Sequence, residues 1–216
     1  EFGNIEFKDV NFAYGKDGFE LKNINLTFKK NSLNAFVGAS GCGKSTLIKI
    51  LSGLYEPVSG IFKIDNEDVT GNRENITYVP QQTELFSLSL KDNLTLGRKI
   101  DEDHFKRILE LTGVKDISDN LSDGLETEIK GRKDINLSAG QIQKIGLARA
   151  LLSTNVKLLL MDEPIANLDT QSEKEISDIL KNLEYSVLAV SHRNEVFNEY
   201  MKVYRMENGK MERIFE

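Results

Sequence analysis

The sequence predicts an α/β fold: a mixed core with an antiparallel β edge subdomain, interrupted by an inserted α-helical subdomain. Three observations lead there. The first 30 residues alternate apolar and polar side chains, as in Ile5-Glu-Phe-Lys-Asp-Val-Asn-Phe12. Two later runs, Val156–Met161 and Ser186–Val190, are almost wholly apolar. Between about Leu85 and Ala150 the apolar residues recur instead at helical spacing. Alternation marks a strand with one face in the core, and an unbroken apolar run marks a strand covered on both faces, as in parallel sheets.

Taken in order, Ile5–Phe12 and Leu21–Phe28 read as half-buried antiparallel strands joined through the Gly15–Gly18 turn. Leu33–Val37 is a short buried strand, followed by a glycine-rich loop and a helix over Thr46–Ser52. Pro57-Val-Ser-Gly60 turns the chain into a strand at Ile61–Ile64, and Ile76–Val79 is another, ended by Pro80. In the helical stretch Phe105, Ile108, Leu109 and Leu111 form one apolar face, and Ile142, Ile145, Leu147 and Leu151 form a second. A helix near Thr170–Leu183 separates the two apolar strands, and Met201–Met206 with Lys210–Phe215 reads as a hairpin around Asn208-Gly209. The expected division is 1–84 and 151–216 for the core and 85–150 for the helical insertion, within one domain of 216 residues.

Composition narrows the function classes. Apolar residues make up 39% and charged residues 29%, a globular mixture, and no apolar run approaches the ~18 residues that span a bilayer. A net charge of −6 argues against nucleic acid as the main partner. The single Cys42 forms no internal disulfide, which suits a reducing compartment. The chain opens on Glu1-Phe2 without Met, as expected of a piece of a longer polypeptide or of a processed or vector-derived end.

Gly38-Ala39-Ser40-Gly41-Cys42-Gly43-Lys44-Ser45-Thr46 fits G-x-x-x-x-G-K-[ST]. Its glycines let successive N–H groups face a polyphosphate, Lys44 reaches the β- and γ-phosphates, and the Ser45 hydroxyl can ligate Mg²⁺. Strand, loop and helix N-terminus together make a phosphate cradle. Cys42 within it is either a thiol whose alkylation would block nucleotide or merely a small residue that fits. Leu158-Leu-Leu-Met-Asp162-Glu163 ends an apolar strand in two carboxylates. Beside such a loop, Asp162 would hold Mg²⁺ and Glu163 would serve as general base for water; alone, the segment is also an ordinary acidic turn. Leu137-Ser138-Ala139-Gly140-Gln141 opens a helix over Ile142–Leu152, where Ser138 and Gly140 either face an anion or simply cap the helix. His192 follows a buried strand and is either structural or a γ-phosphate contact. Gln81, or else Gln82, ends the strand before it and offers an amide to Mg²⁺ or to water.

These motifs, in this order and over essentially the whole chain, resemble an ABC-type ATPase, the nucleotide-binding domain of ATP-binding cassette transporters. The resemblance implies a P-loop NTPase (RecA-like) core. It makes Gly38–Thr46 the Walker A loop, Leu158–Glu163 the Walker B strand with its catalytic glutamate, and Leu137–Gln141 the signature. Gln81 corresponds to the Q-loop, Ala166–Asp169 to the D-loop, His192 to the switch histidine, and Tyr14 to the aromatic that stacks on adenine. It further implies ATP and Mg²⁺ as ligands, and two such domains, identical or related, that meet head to tail and trap two ATP molecules. Each ATP then lies between one domain's Walker A loop and the other's signature.

Leu85-Phe-Ser-Leu-Ser-Leu-Lys-Asp-Asn-Leu94 resembles the exporter version of its segment. That implies transmembrane domains fused N-terminally and a place on the cytoplasmic side of a membrane, with the isolated domain soluble. A non-transport ABC ATPase, a binding module that grips ATP without hydrolysis and an importer subunit are the alternatives. A second cassette or coiled-coil insertion would mark the first, and loss of Glu163 or His192 the second; Leu85–Leu94 counts against the third. Three departures stand out. Ala139 replaces the first signature glycine, the acid of the T-x-x-G-E segment is either replaced by Arg132 or shifted out of register, and Asp68–Asn75 is shortened. Ala139 is costly only if that position needs φ > 0.

Overall fold

The structure, a computed structural model, describes residues 4–15, 18–129, 137–191, 202–207 and 209–213. Its residues group into two compact units, 1–78 with 155–164 and 180–216, and 79–154 with 165–179. Among the described residues no helix is long and apolar enough to cross a membrane.

The first unit holds two sheets. β1 (Asn4–Ala13), β2 (Glu20–Lys29), β4 (Ser59–Ile64) and the two-residue β5 (Glu67–Asp68) form an antiparallel sheet in the order β2-β1-β4-β5. Their alternation is interrupted. Asp9 and Asn23 take positive φ, the β1–β2 register shifts around Val10, and two exposed residues follow one another at Lys22-Asn23. The bulges are held by side chains: Asp9 N–H donates to Asn25 Oδ1 (3.1 Å) and Asn23 N–H to Asn11 Oδ1 (2.8 Å).

The second sheet has six strands in the order β10-β9-β3-β8-β7-β6. These are β3 (Leu33–Val37), β6 (Ile76–Val79), β7 (Leu158–Asp162), β8 (Ser186–Ser191), β9 (Lys202–Glu207) and β10 (Lys210–Arg213). β3, β7, β8 and β9 run parallel, and β10 turns back antiparallel on β9. Every residue of β7 and β8 is buried, the condition that their unbroken apolar sequence requires. Helix α1 (Lys44–Leu51) follows β3 and drives Leu47, Ile48, Ile50 and Leu51 into a core shared with Phe7, Phe28 and Phe62 of the antiparallel sheet. Each such side chain contributes about 1.5–3 kcal/mol when fully buried.

The second unit is helical: α2 (Leu90–Thr95), α3 (Glu102–Thr112), α4 (Val114–Asp119), α5 (Ala139–Leu151) and most of α6 (Thr170–Lys181). The structure explains the Leu85–Leu94 pattern. Ser89 caps α2 by accepting from Asp92 N–H, Leu90 and Leu94 are fully buried, and Asn93 staples the preceding loop. The Asn93 amide donates to the carbonyls of Phe86 (2.9 Å) and Ser89 (3.0 Å), and its Oδ1 accepts from Phe86 N–H (2.8 Å). Arg149 donates to the Asn93 and Glu84 carbonyls and lies over the Phe86 ring. Thr127–Ile129 pairs alongside, with Leu90 N–H donating to Thr127 and Ile129 N–H to Leu88. Arg132 lies outside the described residues. In the shortened 68–75 stretch, Arg73 donates to the Thr70 carbonyl and covers the Phe62 ring.

Because Asn93 is fully buried and its Oδ1 accepts the Phe86 N–H, Asn93→Ala takes away that acceptor and the amide's own bonds and should lower stability by about 1–3 kcal/mol in urea unfolding. A loss below about 0.5 kcal/mol would show that the loop does not depend on it.

Candidate functional site

β3 delivers the chain into the glycine-rich loop, and α1 leaves it. Gly43 occupies the N-cap of α1 at φ 112°, and a Cβ there would sit 2.5 Å from the Phe19 ring, so no other residue fits. α1 begins at Lys44, two residues before the apolar periodicity does, and carries no acid in its first turn to offset the positive end of its dipole. Ala39, Ser40, Gly41 and Ser45 are exposed, whereas Lys44 is only 4% exposed. Its ammonium folds back on the loop, donating to the carbonyls of Gly38 (2.8 Å) and Ala39 (3.0 Å) and lying 3.8 Å from Cys42 Sγ.

The acidic end of β7 meets this loop. Ser45 Oγ donates to Asp162 Oδ1 at 3.2 Å, joining residues 117 positions apart. Tyr78 of β6, which sequence reasoning did not single out, hydrogen-bonds the same carboxylate. Burial pushes its phenol up to about 12, and the Asp162 charge adds to the rise. The signal was available in the strand Ile76-Thr-Tyr-Val79, yet an aromatic in a strand carries no functional mark of its own. A hydroxyl and a carboxylate already in contact are hard oxygen donors that suit Mg²⁺. Glu163, like Asp162 only 7% exposed, leaves the strand at φ 52° while its N–H donates to the Val190 carbonyl of β8 (2.9 Å). A side chain in that left-handed region costs roughly 1–2 kcal/mol, strain of the kind held at functional sites.

Tyr14 lies just beyond β1 with its hydroxyl 3.3 Å from Thr46 Oγ1 and its ring partly exposed. Phe12 meets it edge-on (4.8 Å), as does Tyr55 (5.6 Å), and Phe12 and Tyr55 stack on each other. The three rings hold one face of an aromatic platform beside α1, and Tyr55 is a second contributor that the sequence left unmarked.

In the helical unit, Ser138 caps α5 in a full capping box: Gln141 N–H donates to Ser138 Oγ (3.1 Å) and Ser138 N–H to Gln141 Oε1 (2.8 Å). The helix therefore starts at Ala139, three residues before its apolar face. Ala139 is its first residue and is not among those with positive φ, so its methyl is tolerated. Gly140 is needed for a different reason. A Cβ there would fall 2.4 Å from Ser172 Oγ, on the first turn of α6, where Asp169 accepts from both Ser172 N–H and Oγ. Gln81 and Gln82 lie together on the wall of a cavity of about 730 Å³ in this unit, with Ala139, Gln143 and Asn167. His192 lies outside the described residues.

Comparison with known proteins bears on this geometry. A family model described as ABC transporter matches residues 21–166. An export ATP-binding/permease protein of Rickettsia bellii is 35% identical over 97% of this chain, and the human ATP-binding cassette sub-family B member 5 is 34% identical, also over 97%. The chain spans 38% of the first of these relatives and 17% of the second. Among solved structures, a bacterial Atm1-family ABC exporter with ATP bound superposes with a TM-score of 0.84 at 27% identity, covering 98% of this chain and 38% of that one.

The close approach at Gly140 is testable without any ligand. Gly140→Ala should destabilise by about 1–3 kcal/mol, and Ser172→Gly in the same chain should recover most of that loss. Additive losses in a double-mutant cycle of unfolding free energies would contradict a direct collision.

Proposed function

The chain belongs to the ABC transporter family, and from that premise we propose that it is the ATP-binding and ATP-hydrolysing domain of an exporter. In this reading it works as one of a pair, identical or related, that encloses two ATP molecules and drives membrane-spanning domains at the cytoplasmic face of a membrane. The observation that supports the reading most is the hydrogen bond from Ser45 Oγ to Asp162 Oδ1, which joins the glycine-rich loop to the acidic end of β7. The Leu85–Leu94 pattern and the names of the relatives support export.

The phosphates of ATP rest on the N–H groups of Gly41 to Ser45 and on the N-terminus of α1. Lys44 exchanges its two loop carbonyls for β- and γ-phosphate oxygens. Ser45 and Asp162 would hold Mg²⁺, which neutralises charge on the β- and γ-phosphate oxygens when bound. Glu163 orients the attacking water and takes its proton as the γ-phosphoryl group departs from the diphosphate. Tyr14 stacks on adenine. Gln81 and His192 keep the roles that the resemblance gives them, the first as a ligand or water-positioning amide and the second at the γ-phosphate. Ser138, Gly140 and Gln141 serve the ATP of the second domain, where a helix N-terminus adds positive potential to the transferring group.

Glu163→Gln should lower ATP turnover at least about a hundredfold while leaving ATP binding intact, and ATP should then accumulate a dimer visible by light scattering. Turnover equal to wild type would remove Glu163 from the role of base. Because Ala139 sits in ordinary helix, Ala139→Gly should change turnover by less than about tenfold, which phosphate-release kinetics would check.

A further inference from the structure

We propose that Gly209, in the turn of the C-terminal hairpin, is a positioning residue that braces the phosphate loop and aims its Gly43 N–H at the bound phosphate. The inference rests on the nucleotide-binding reading above. β9 runs parallel to β3 with Val37 opposite Arg205, so the hairpin continues alongside the loop where β3 ends. At its first residue the approach is so close that a Cβ on Gly38 would stand 2.3 Å from the Met206 carbonyl oxygen. Farther on, Gly209 N–H donates to the Cys42 carbonyl (3.2 Å), and the Gly209 carbonyl accepts from Lys22 N–H of β2 (3.2 Å). Elsewhere hairpin and loop face each other across a cavity of about 1150 Å³ lined by Glu20, Lys22, Arg205 and Lys210.

The consequence follows from peptide geometry. The Cys42 carbonyl and the Gly43 N–H belong to one planar trans unit and point in opposite directions. Fixing that carbonyl on Gly209 therefore turns the Gly43 N–H away from the hairpin, to the side where a phosphate would lie. Only glycine can supply the bond. Gly209 has φ 73°, and a Cβ would lie 2.2 Å from the Glu20 carbonyl oxygen, a backbone atom that cannot rotate away. The same turn thus ties the loop to β2, so a side chain at 209 separates the loop from the strand that follows the Tyr14 turn.

Cys42, the single cysteine, reports on the brace because it is 8% exposed and sits at the braced carbonyl. Without nucleotide, Gly209→Ala should speed its alkylation by a maleimide about tenfold or more, since the loop then opens locally. The same variant should raise KM for Mg-ATP about tenfold with kcat within about threefold, at an unchanged circular dichroism spectrum. Gly209→Asn should behave like Gly209→Ala, because asparagine accepts the positive φ but keeps the colliding Cβ. Gly71→Ala, with nothing within 4 Å of the added carbon, should match wild type. Wild-type values in either Gly209 variant overturn the proposal. Should both variants fail to fold, hydrogen exchange on the wild-type protein decides: the Gly209 amide should be protected at least about a hundredfold, and exchange at open-loop rates overturns the brace. The labelling and exchange arms need no nucleotide, so absence of ATP binding in the wild type would count against the proposed function and not be mistaken for failure of the brace.

Discussion

The register of β3, β8 and β7 decides where chemistry can occur. Val37 pairs with Ser191 and Val190 with Asp162, so three parallel strands end within a residue of one another on the same edge of the sheet. The glycine-rich loop leaves from the first, and Asp162-Glu163 closes the third. Parallel strands need long crossovers, which is how residues 117 positions apart come to share a hydrogen bond. A one-residue slip in either pairing would turn Asp162 to the opposite face and remove it from Ser45. The buried, apolar β7 and β8 thus carry the polar site at their ends.

The two readings of Ser138, cap and phosphate contact, are compatible in this geometry. A hydroxyl accepts and donates at once. Its oxygen is engaged by the Gln141 N–H, and among the described residues none accepts its own proton, which could serve an anion beyond the helix end. The capping box orients the hydroxyl, and the absence of an acid in the first turn of α5 preserves the positive end of the helix. Gly140 makes the surroundings tight, because the first turn of α6, held by Asp169, comes up against it. A cap of this kind is held in place by this chain's own residues.

Much of this was legible in the sequence, and the misses share a cause. Apolar pattern located the buried strands, α1 and α5, since burial is what hydrophobic pattern records, and the Asn208-Gly209 turn signal located the hairpin of β9 and β10. The apolar pattern placed the starts of α1 and α5 two and three residues late because their first turns, Lys44-Ser45 and Ala139-Gly140-Gln141, carry site residues instead of an apolar face. Alternation in β1 and β2 concealed the bulges at Asp9 and Asn23, which depend on asparagine side chains from the neighbouring strand. Tyr78 and Tyr55 stayed invisible because an aromatic in a strand or loop looks the same whether it fills space or orients a neighbour. The resemblance supplied the order of the motifs; the Ser45–Asp162 contact and the platform around Tyr14 needed coordinates.

Lys44 is held by the loop it belongs to. A lysine that is 4% exposed is expensive to bury unless its ammonium protons are engaged, and here two carbonyls of its own loop engage them. Those bonds, each worth about 1.5–3 kcal/mol when a charge takes part, tie Lys44 to Gly38 and Ala39 and draw the loop closed around it. In the proposed role a polyphosphate would replace them, so its gain would be the difference between phosphate and carbonyl as partners, not the whole strength of the new contacts. The arrangement favours ligands whose charge exceeds that of two neutral carbonyls. In the proposed role a triphosphate would meet that condition at Lys44, with its remaining charge beside the N-terminus of α1.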